Sequence, residues 1–409
     1  MRRVARILLV LFAFAIPWEY SLDFGAPYGN IARLLGLGTA MIAAAAVIRE
    51  RSFKKPCLVH AAVLALYLWF CCSFFWTVAQ HETLKHLRGY AQEMMLVWLV
   101  WELVADSKCL LVLLRSWLAG TFVLAALTIT SLILSNPMAT DQVRFVAITQ
   151  DPNDVARYLT YGFPIAMLLA EGPGHRFERM LWLLYFPIGF AAVLLTASRG
   201  GFLVADVALA ACAAVALRRH TTGALAAGLL VGASVVVVLA VAPKGTFNRL
   251  GTTAELWQSG DLNQRVNIWS AGWKAFEDAP LFGHGAGSFV VAAEMAPEDT
   301  AHNTVVSILV EDGLCGLALA AAIVALTVRA IYKTRQPLRS ALTILMLVWA
   351  LSSITGTVWE NRVTWLLFGV AAIGPGMEKA CGDRATRSVQ DNEMKVTSIF
   401  STIAHNLKT

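Results

Sequence analysis

A series of long apolar runs divides the chain, at 7–17, 34–48, 57–76, 93–104, 116–134, 158–170, 180–197, 201–217, 223–242, 304–328, 340–356 and 363–375. A hydrocarbon layer ~30 Å thick takes roughly 20 helical residues, and somewhat fewer where the flanks are amphipathic. The runs are continuous rather than alternating, so helices and not barrel strands would satisfy the backbone inside that layer. The chain therefore reads as an all-α polytopic integral membrane protein with about 12 transmembrane helices. Composition agrees. The 409 residues are 57% hydrophobic and only 15% charged, with a mean hydropathy of +0.62, far from the balance of a soluble domain of this length.

Basic residues set the orientation. They cluster in "MRRVAR", "RERSFKK" (49–55), "HRFER" (175–179), "RRH" (218–220) and the loop holding Arg329, Lys333, Arg335 and Arg339. With that number of spans these segments share one side, and the positive-inside rule makes it cytoplasmic, with both termini there. The first run ends in "PWEYS" without a small-residue cleavage site, so it reads as an uncleaved anchor. Most of the net charge of +6 is this orientation signal. No soluble basic domain with interleaved aromatics exists, which argues against nucleic acid. The organisation expected is one transmembrane helical domain over 1–376, including a periplasmic loop at 243–302, and a polar cytoplasmic tail at 377–409. The seven cysteines are scattered without a CxxC pair and read as small core residues.

The non-cytoplasmic side carries the chemistry. Its one long connection, 243–302, falls between the ninth and tenth spans, and long loops in compact proteins are often functional. Within it Leu262, Val266, Trp269, Trp273 and Phe276 fall on one face of an amphipathic helix, which would lie on the membrane or cap the bundle. Arg144, Arg157, Arg199, Arg249, Arg265 and Arg362 stand near outer membrane ends, against the positive-inside trend. Arg249 and Arg362 read as structural, snorkelling or paired with a nearby acid. Arg199 lies in "LLTASRGG", a tight turn between two apolar helices, where its planar fork suits phosphate oxygens. In "ITQDPNDVARY" Asn153 or Asp154 would cap a helix and Arg157 would lie one turn in, facing either lipid or a cavity, and an arginine at that depth usually faces a cavity or a partner. "GHGAGSF" (283–289) lacks the strand and the Lys-Ser/Thr of a phosphate loop, so its glycines read as a sharp turn over the membrane surface. His81 and His86 are off helical register, and His284 and His302 lack ligand neighbours, so no metal site is expected.

The most informative stretch is "AHNTVVSILVEDGLCG", 301–316. Asn303 suits a helix N-cap, which puts His302 where the long loop enters the membrane. Its imidazole, with an ordinary pKa near ~6.5, can take a proton at neutral pH. Gly313 and Gly316, one turn apart, read as a close-packing surface. Glu311 and Asp312 lie roughly 12 Å below the helix start at 1.5 Å per residue. Acids at that depth need partners, an arginine being the natural one.

At these residues the chain resembles a known family. His302-Asn303, nine residues, then Gly313-x-x-Gly316 is similar to the His-[Asn/Ser/Gln]-x9-Gly-x-x-Gly signature of bacterial O-antigen ligases. The "SRGG" turn and the run Arg265, Trp269, Pro280, Leu281, Gly283, Gly285 resemble the wider superfamily of ligases, O-antigen polymerases and protein O-oligosaccharyltransferases. The motifs cover roughly 140–320, and the short tail points away from the last branch. The resemblance implies an inverting glycosyltransferase at the periplasmic face of the bacterial inner membrane. It would move O-antigen polysaccharide from undecaprenyl pyrophosphate to a sugar hydroxyl of lipid A–core, without cofactor, nucleotide or metal. It also implies roles: His302 as general base, Arg199 and Arg265 on the pyrophosphate, with Arg157 a further candidate for that anion and Asn303 beside the substrate. Two other classes stay open. A polymerase would use the same donor with a second glycan as acceptor. A lipid-linked glycan transporter would make no bond, though the polar residues gather on one face and no paired halves are visible.

Overall fold

The computed structural model describes residues 1–25, 28–134, 144–147, 150–172, 174–219, 265–297 and 299–377, with six further positions between 228 and 240. About 78% of the described residues are helical, and no strand occurs among them. In chain order the helices are α1 (Arg2–Ala15), α2 (Ile31–Glu50), α3 (Leu58–Ser73), α4 (Gln80–Leu103), α5 (Ser107–Ile133), α6 (Pro152–Glu171), α7 (Arg176–Leu183), α8 (Tyr185–Leu195), α9 (Arg199–Arg218), α10 (Arg265–Asp278), α11 (Phe289–Ala292), α12 (Thr304–Lys333), α13 (Leu338–Thr355) and α14 (Arg362–Ile373). Short 3-10 turns follow α1 at Ile16–Ser21 and α14 at Gly374–Gly376.

Seven of the described helical segments are long and apolar enough to cross a membrane: Arg2–Ser21, Ile31–Glu50, Ser107–Ile133, Arg176–Leu195, Arg199–Arg218, Thr304–Lys333 and Leu338–Thr355. Two shorter apolar segments, Leu58–Ser73 and Arg362–Gly376, accompany them. Most of the expected span at 223–242, the first part of the long loop with Arg249 and Leu262, and the tail from 378 lie outside the described residues. Two apolar runs prove to be the inner parts of longer helices. The run at 93–104 is preceded by three polar turns starting at Gln80, and that at 158–170 begins at Pro152.

Short polar residues start the helices where backbone N–H groups have no intrahelical acceptor. Asn30 caps α2 by accepting from the Arg33 N–H at 2.9 Å, and Asp106 caps α5 from the Cys109 N–H at 2.9 Å. The cap of α6 is Asp151, not Asn153 or Asp154: its carboxylate takes the N–H groups of both, at 2.8 and 3.2 Å. The cap two residues before Asn153 frees the Asn153 side chain for a tertiary role.

The bundle is organised around α6 and α14. Every residue of α6 from Val155 to Leu169, and of α14 from Val363 to Ile373, is buried. A helix enclosed on all sides belongs in a core. The basic clusters gather at one end of the bundle. There Arg2 pairs with Glu50 and Glu102, Lys54 donates to the carbonyls of Trp101 and Val104, and Arg219 donates to Gln336 and Ser340. The opposite end holds the starts of α4, α6, α9, α12 and α14, and α10 packs there against α12.

Candidate functional site

The first residue of interest is held in an uncommon conformation. His302 precedes the cap of α12 with φ +46°, a left-handed backbone that a non-glycine residue adopts rarely and that often marks a functional turn. Asn303 is indeed the cap, its amide oxygen accepting from the N–H groups of Val305 and Val306 at 2.9 and 3.1 Å. That oxygen is therefore already engaged, and only its NH2 group remains, turned toward the Ile354 carbonyl at 3.4 Å. Thr304 locks the turn from the other side, donating to the Gly356 carbonyl at 2.8 Å and accepting the Val358 N–H at 3.0 Å.

Lower in α12 the helix is interrupted. Gly313 has φ +64° and ψ −165°, a region that only glycine populates. It is a break rather than the packing surface its spacing with Gly316 implied. The backbone groups released there bind the 280–288 loop. Leu314 and Cys315 N–H groups donate to the carbonyls of Pro280 and Leu281 at 2.9 and 3.1 Å. The N–H groups of His284 and Gly285 donate to the carbonyls of Val310 and Glu311 at 2.9 and 2.7 Å. The loop is thus laced into the helix, not turned over the membrane surface. Gly283, at φ +69°, has no room for a side chain: a Cβ there would lie 2.4 Å from the Glu311 carbonyl carbon.

Glu311 and Asp312 are both buried, and no arginine meets either among the described residues. The Glu311 carboxylate accepts the Gly287 N–H at 2.8 Å and the Ser307 hydroxyl at 3.1 Å, so it fastens the loop to α12. The indole of Trp69 donates to the Asp312 main-chain carbonyl at 3.2 Å. The Glu311 carboxylate thus has partners other than an arginine, whereas the buried Asp312 Oδ1 has no hydrogen-bond partner among the described residues.

Arg265 and Arg157 are carried to the turn at His302, and Arg199 to the start of α6. Arg265 opens α10, one helical turn before Trp269, whose indole donates to the Ala301 carbonyl at 2.9 Å and so binds this helix to the residue before His302. Arg157 is buried in α6, ion-paired with Asp154, and its guanidinium lies against Gly356, the residue bonded to Thr304. Arg199 opens α9 directly after Ser198, whose hydroxyl donates to the Asn153 amide oxygen at 2.8 Å and accepts the Gly201 N–H at 3.2 Å. The α8–α9 turn is thereby fixed to the start of α6. On the face of α10, Ile268, Gly272 and Ala275 are the buried residues, while Val266 and Trp273 of the expected stripe are exposed.

Electrostatics shows the same convergence. Burial, followed by the positive charges of Arg157 and Arg199, pulls the Arg265 pKa below its usual value. Burial, then the charge of Arg265, holds the His302 imidazole below its ordinary 6.5. The imidazole is therefore neutral at pH 7 and can accept a proton. Arg362 has the structural role expected of it, paired in the interior with Glu19, which is only 1% exposed.

A cavity of about 790 Å³ runs from this turn into the bundle. His302, Arg157, Asp151 and Thr300 line one end; His86, Lys85, Glu311, Glu360 and Tyr20 line the other. Arg199 and Arg265 are not in its lining. His86 Nδ1 donates to the Glu82 carbonyl, 2.9 Å away, and the ring faces Glu360 at 3.9 Å. Sequence reasoning missed His86 and Glu360. The available signal was the polar stretch 80–92, which a hydropathy reading leaves outside the span although it continues the same helix.

A histidine at a strained turn, arginines on the segments around it and a glycine-broken helix beneath make up this arrangement. Residues 184–321 match the O-antigen ligase family. The matched segment holds Arg199, Arg265, His302 and Gly313, whereas Arg157, His86 and Glu360 lie outside it. No curated protein matches the chain. The match supports the superfamily of O-antigen ligases and polymerases, lipid-linked glycan transferases. With its apolar helices, it makes the chain a multi-pass membrane protein.

Proposed function

We propose that the protein is an inverting glycosyltransferase that moves O-antigen polysaccharide from undecaprenyl pyrophosphate to a sugar hydroxyl of lipid A–core. The observation that carries this reading is the placement of His302, held at a left-handed turn with Arg157 beside it in the lining of a large polar cavity. His302 takes the proton of the acceptor hydroxyl as the oxygen attacks the anomeric carbon. The bond between that carbon and the pyrophosphate oxygen breaks, and the undecaprenyl pyrophosphate leaves with the electron pair. Arg199 and Arg265, together with Arg157 in the cavity lining, stabilise the charge growing on the leaving group. One displacement from the opposite face inverts the anomeric centre.

The reading places the cavity on the periplasmic side of the inner membrane, with the basic end of the bundle and both termini in the cytoplasm. It requires no metal and no nucleotide. Membranes containing His302→Ala, at matched protein level, should leave core without O-antigen on a lipopolysaccharide gel while lipid-linked polymer accumulates. A core capped with one repeat would instead identify a polymerase. Near-normal transfer by well-expressed His302→Ala would falsify the general-base role. Purified wild type should join donor to acceptor in excess EDTA without ATP; turnover that chelator abolishes and Mg²⁺ restores refutes the metal-free chemistry.

A further inference from the structure

A second concentration of positive charge lies across the bundle end from His302 and plays no part in the reaction just described. Arg33 at the start of α2, His81, Lys85 and Arg88 on α4, and Arg362 on α14 line a cleft of about 400 Å³. Among the described residues its lining holds no carboxylate. Lys85 is paired with Glu82 at 3.1 Å and Arg362 with Glu19, but Arg33 and Arg88 have no acidic partner among the described residues. His81, Lys85 and Arg88 recur at spacings of four and three, so α4 turns one cationic face to the cleft.

The location makes these charges informative. They stand at the end of the bundle opposite the cytoplasmic-type basic clusters, where the positive-inside rule disfavours them. Arg88 is exposed and lies about 12 Å along α4 from Gln80 at 1.5 Å per residue, in the polar stretch that precedes the apolar run at 93–104. Exposed cations grouped beside an apolar segment attract anionic headgroups. The volume equals about a dozen waters at ~30 Å³ each, room for a headgroup rather than a lone ion. Below Arg33, α2 exposes Leu34, Leu37 and Met41, an apolar strip that suits acyl chains. The cleft and the catalytic cavity share Lys85.

We propose that this cleft binds the phosphate of the acceptor, a phosphorylated lipid, and so seats it with its sugar reaching into the cavity toward His302. The word acceptor rests on the function proposed above; the binding of a phosphorylated lipid does not. Arg33 and Arg88 supply charge-assisted hydrogen bonds to phosphate oxygens, the strip on α2 receives the acyl chains, and the shared Lys85 marks the way into the cavity.

The purified full chain in detergent, studied by native mass spectrometry, tests this. Short-chain phosphatidic acid is the probe, phosphatidylcholine the control lipid and inorganic phosphate the competitor. Wild type should retain phosphatidic acid over phosphatidylcholine, and millimolar inorganic phosphate should not displace it. Arg33→Gln with Arg88→Gln should weaken retention roughly tenfold or more per arginine. Arg33→Lys with Arg88→Lys should recover part of it, which a mere folding defect would not. Equal retention by wild type and the glutamine variant overturns the proposal, as does displacement by free phosphate. In a transfer assay the glutamine variant should raise the acceptor KM far more than the donor KM; a rise in the donor KM alone also overturns it. If wild type transfers no glycan at all, the proposed function falls while the lipid-binding comparison still decides the cleft.

Discussion

Replacing Gly313 by alanine tests the structural core of the site with the smallest possible change. The backbone there, at φ +64° and ψ −165°, is closed to any residue with a Cβ. Forcing alanine into it costs about 1–3 kcal/mol from conformation alone. Space is the second problem. The added carbon would lie 2.4 Å from the Leu281 oxygen, 2.5 Å from its carbonyl carbon and 2.7 Å from the Gly283 nitrogen. All three are main-chain atoms of the loop laced into the break, so no side-chain rotation relieves the clash. The loop must withdraw, and each buried backbone group left without a partner adds about 1–3 kcal/mol. Four inter-segment bonds span the break, at Leu314, Cys315, His284 and Gly285, so losing even two brings the total to at least about 3 kcal/mol. The control is Gly38→Ala in α2, where a Cβ meets nothing within 4 Å and alanine is the better helix former. Thermal unfolding in detergent and glycan transfer at matched membrane levels are the assays. Gly313→Ala should melt well below wild type and lose most transfer, while Gly38→Ala should match or exceed wild type in melting. A Gly313→Ala protein that melts and transfers like wild type would show that the break is dispensable and that the loop is not held as described.

Three further outcomes follow from the same geometry. Because burial and Arg265 lower the His302 pKa, the imidazole stays unprotonated below pH 6.5, so transfer should hold down to that pH and fall only in more acid solution; residual activity of Arg265→Gln should fall at a higher pH, and an unmoved acid limb would uncouple the two residues. Arg199→Lys and Arg265→Lys keep charge but lose the planar fork, which should raise the barrier by about 2.7–4 kcal/mol, a hundredfold or more in rate. Arg249→Lys should matter much less, and equal small losses at all three would send the search for the pyrophosphate clamp elsewhere. Arg362→Gln strands the Glu19 carboxylate, which is 1% exposed, and should destabilise by about 3–5 kcal/mol. Adding Glu19→Gln should restore much of that stability; a single variant as stable as wild type would mean that the pair is not formed.

The helical architecture could be read from the chain because continuous apolar stretches leave few alternatives in a membrane. His302 and its cap were equally legible, since an Asn before an apolar run is a local signal. What escaped depended on distance in sequence. The polar turns of α4 resemble a loop until one sees that His86 and Lys85 face a cavity formed with α12 and the α13–α14 turn. Gly313 looked like a packing contact because spacing alone cannot distinguish a small residue that admits a neighbouring helix from one that breaks its own. The partner of Glu311 was sought among arginines. Burial does demand a partner, but a backbone N–H from a loop folded into the helix serves as well. The cap of α6 lay two residues before Asn153, and that shift is what releases Asn153 to hold Ser198 and the turn bearing Arg199.

The interval between His302 and Gly313 can also be read as a length. Nine steps of helix from Thr304 carry the chain about 14 Å down before the break. The upper mark is fixed by Thr304 against the α13–α14 turn and the lower one by the 280–288 loop. One inserted residue would turn the break by about 100° and drop it about 1.5 Å. The carbonyls that meet His284 and Gly285 would then point away, and Glu311 would leave the Gly287 N–H. Side chains in this interval are free to vary wherever they face outward, but their number is not. The stretch acts as a ruler whose graduations are peptide units, and it sets how far the imidazole stands above the floor of the cavity.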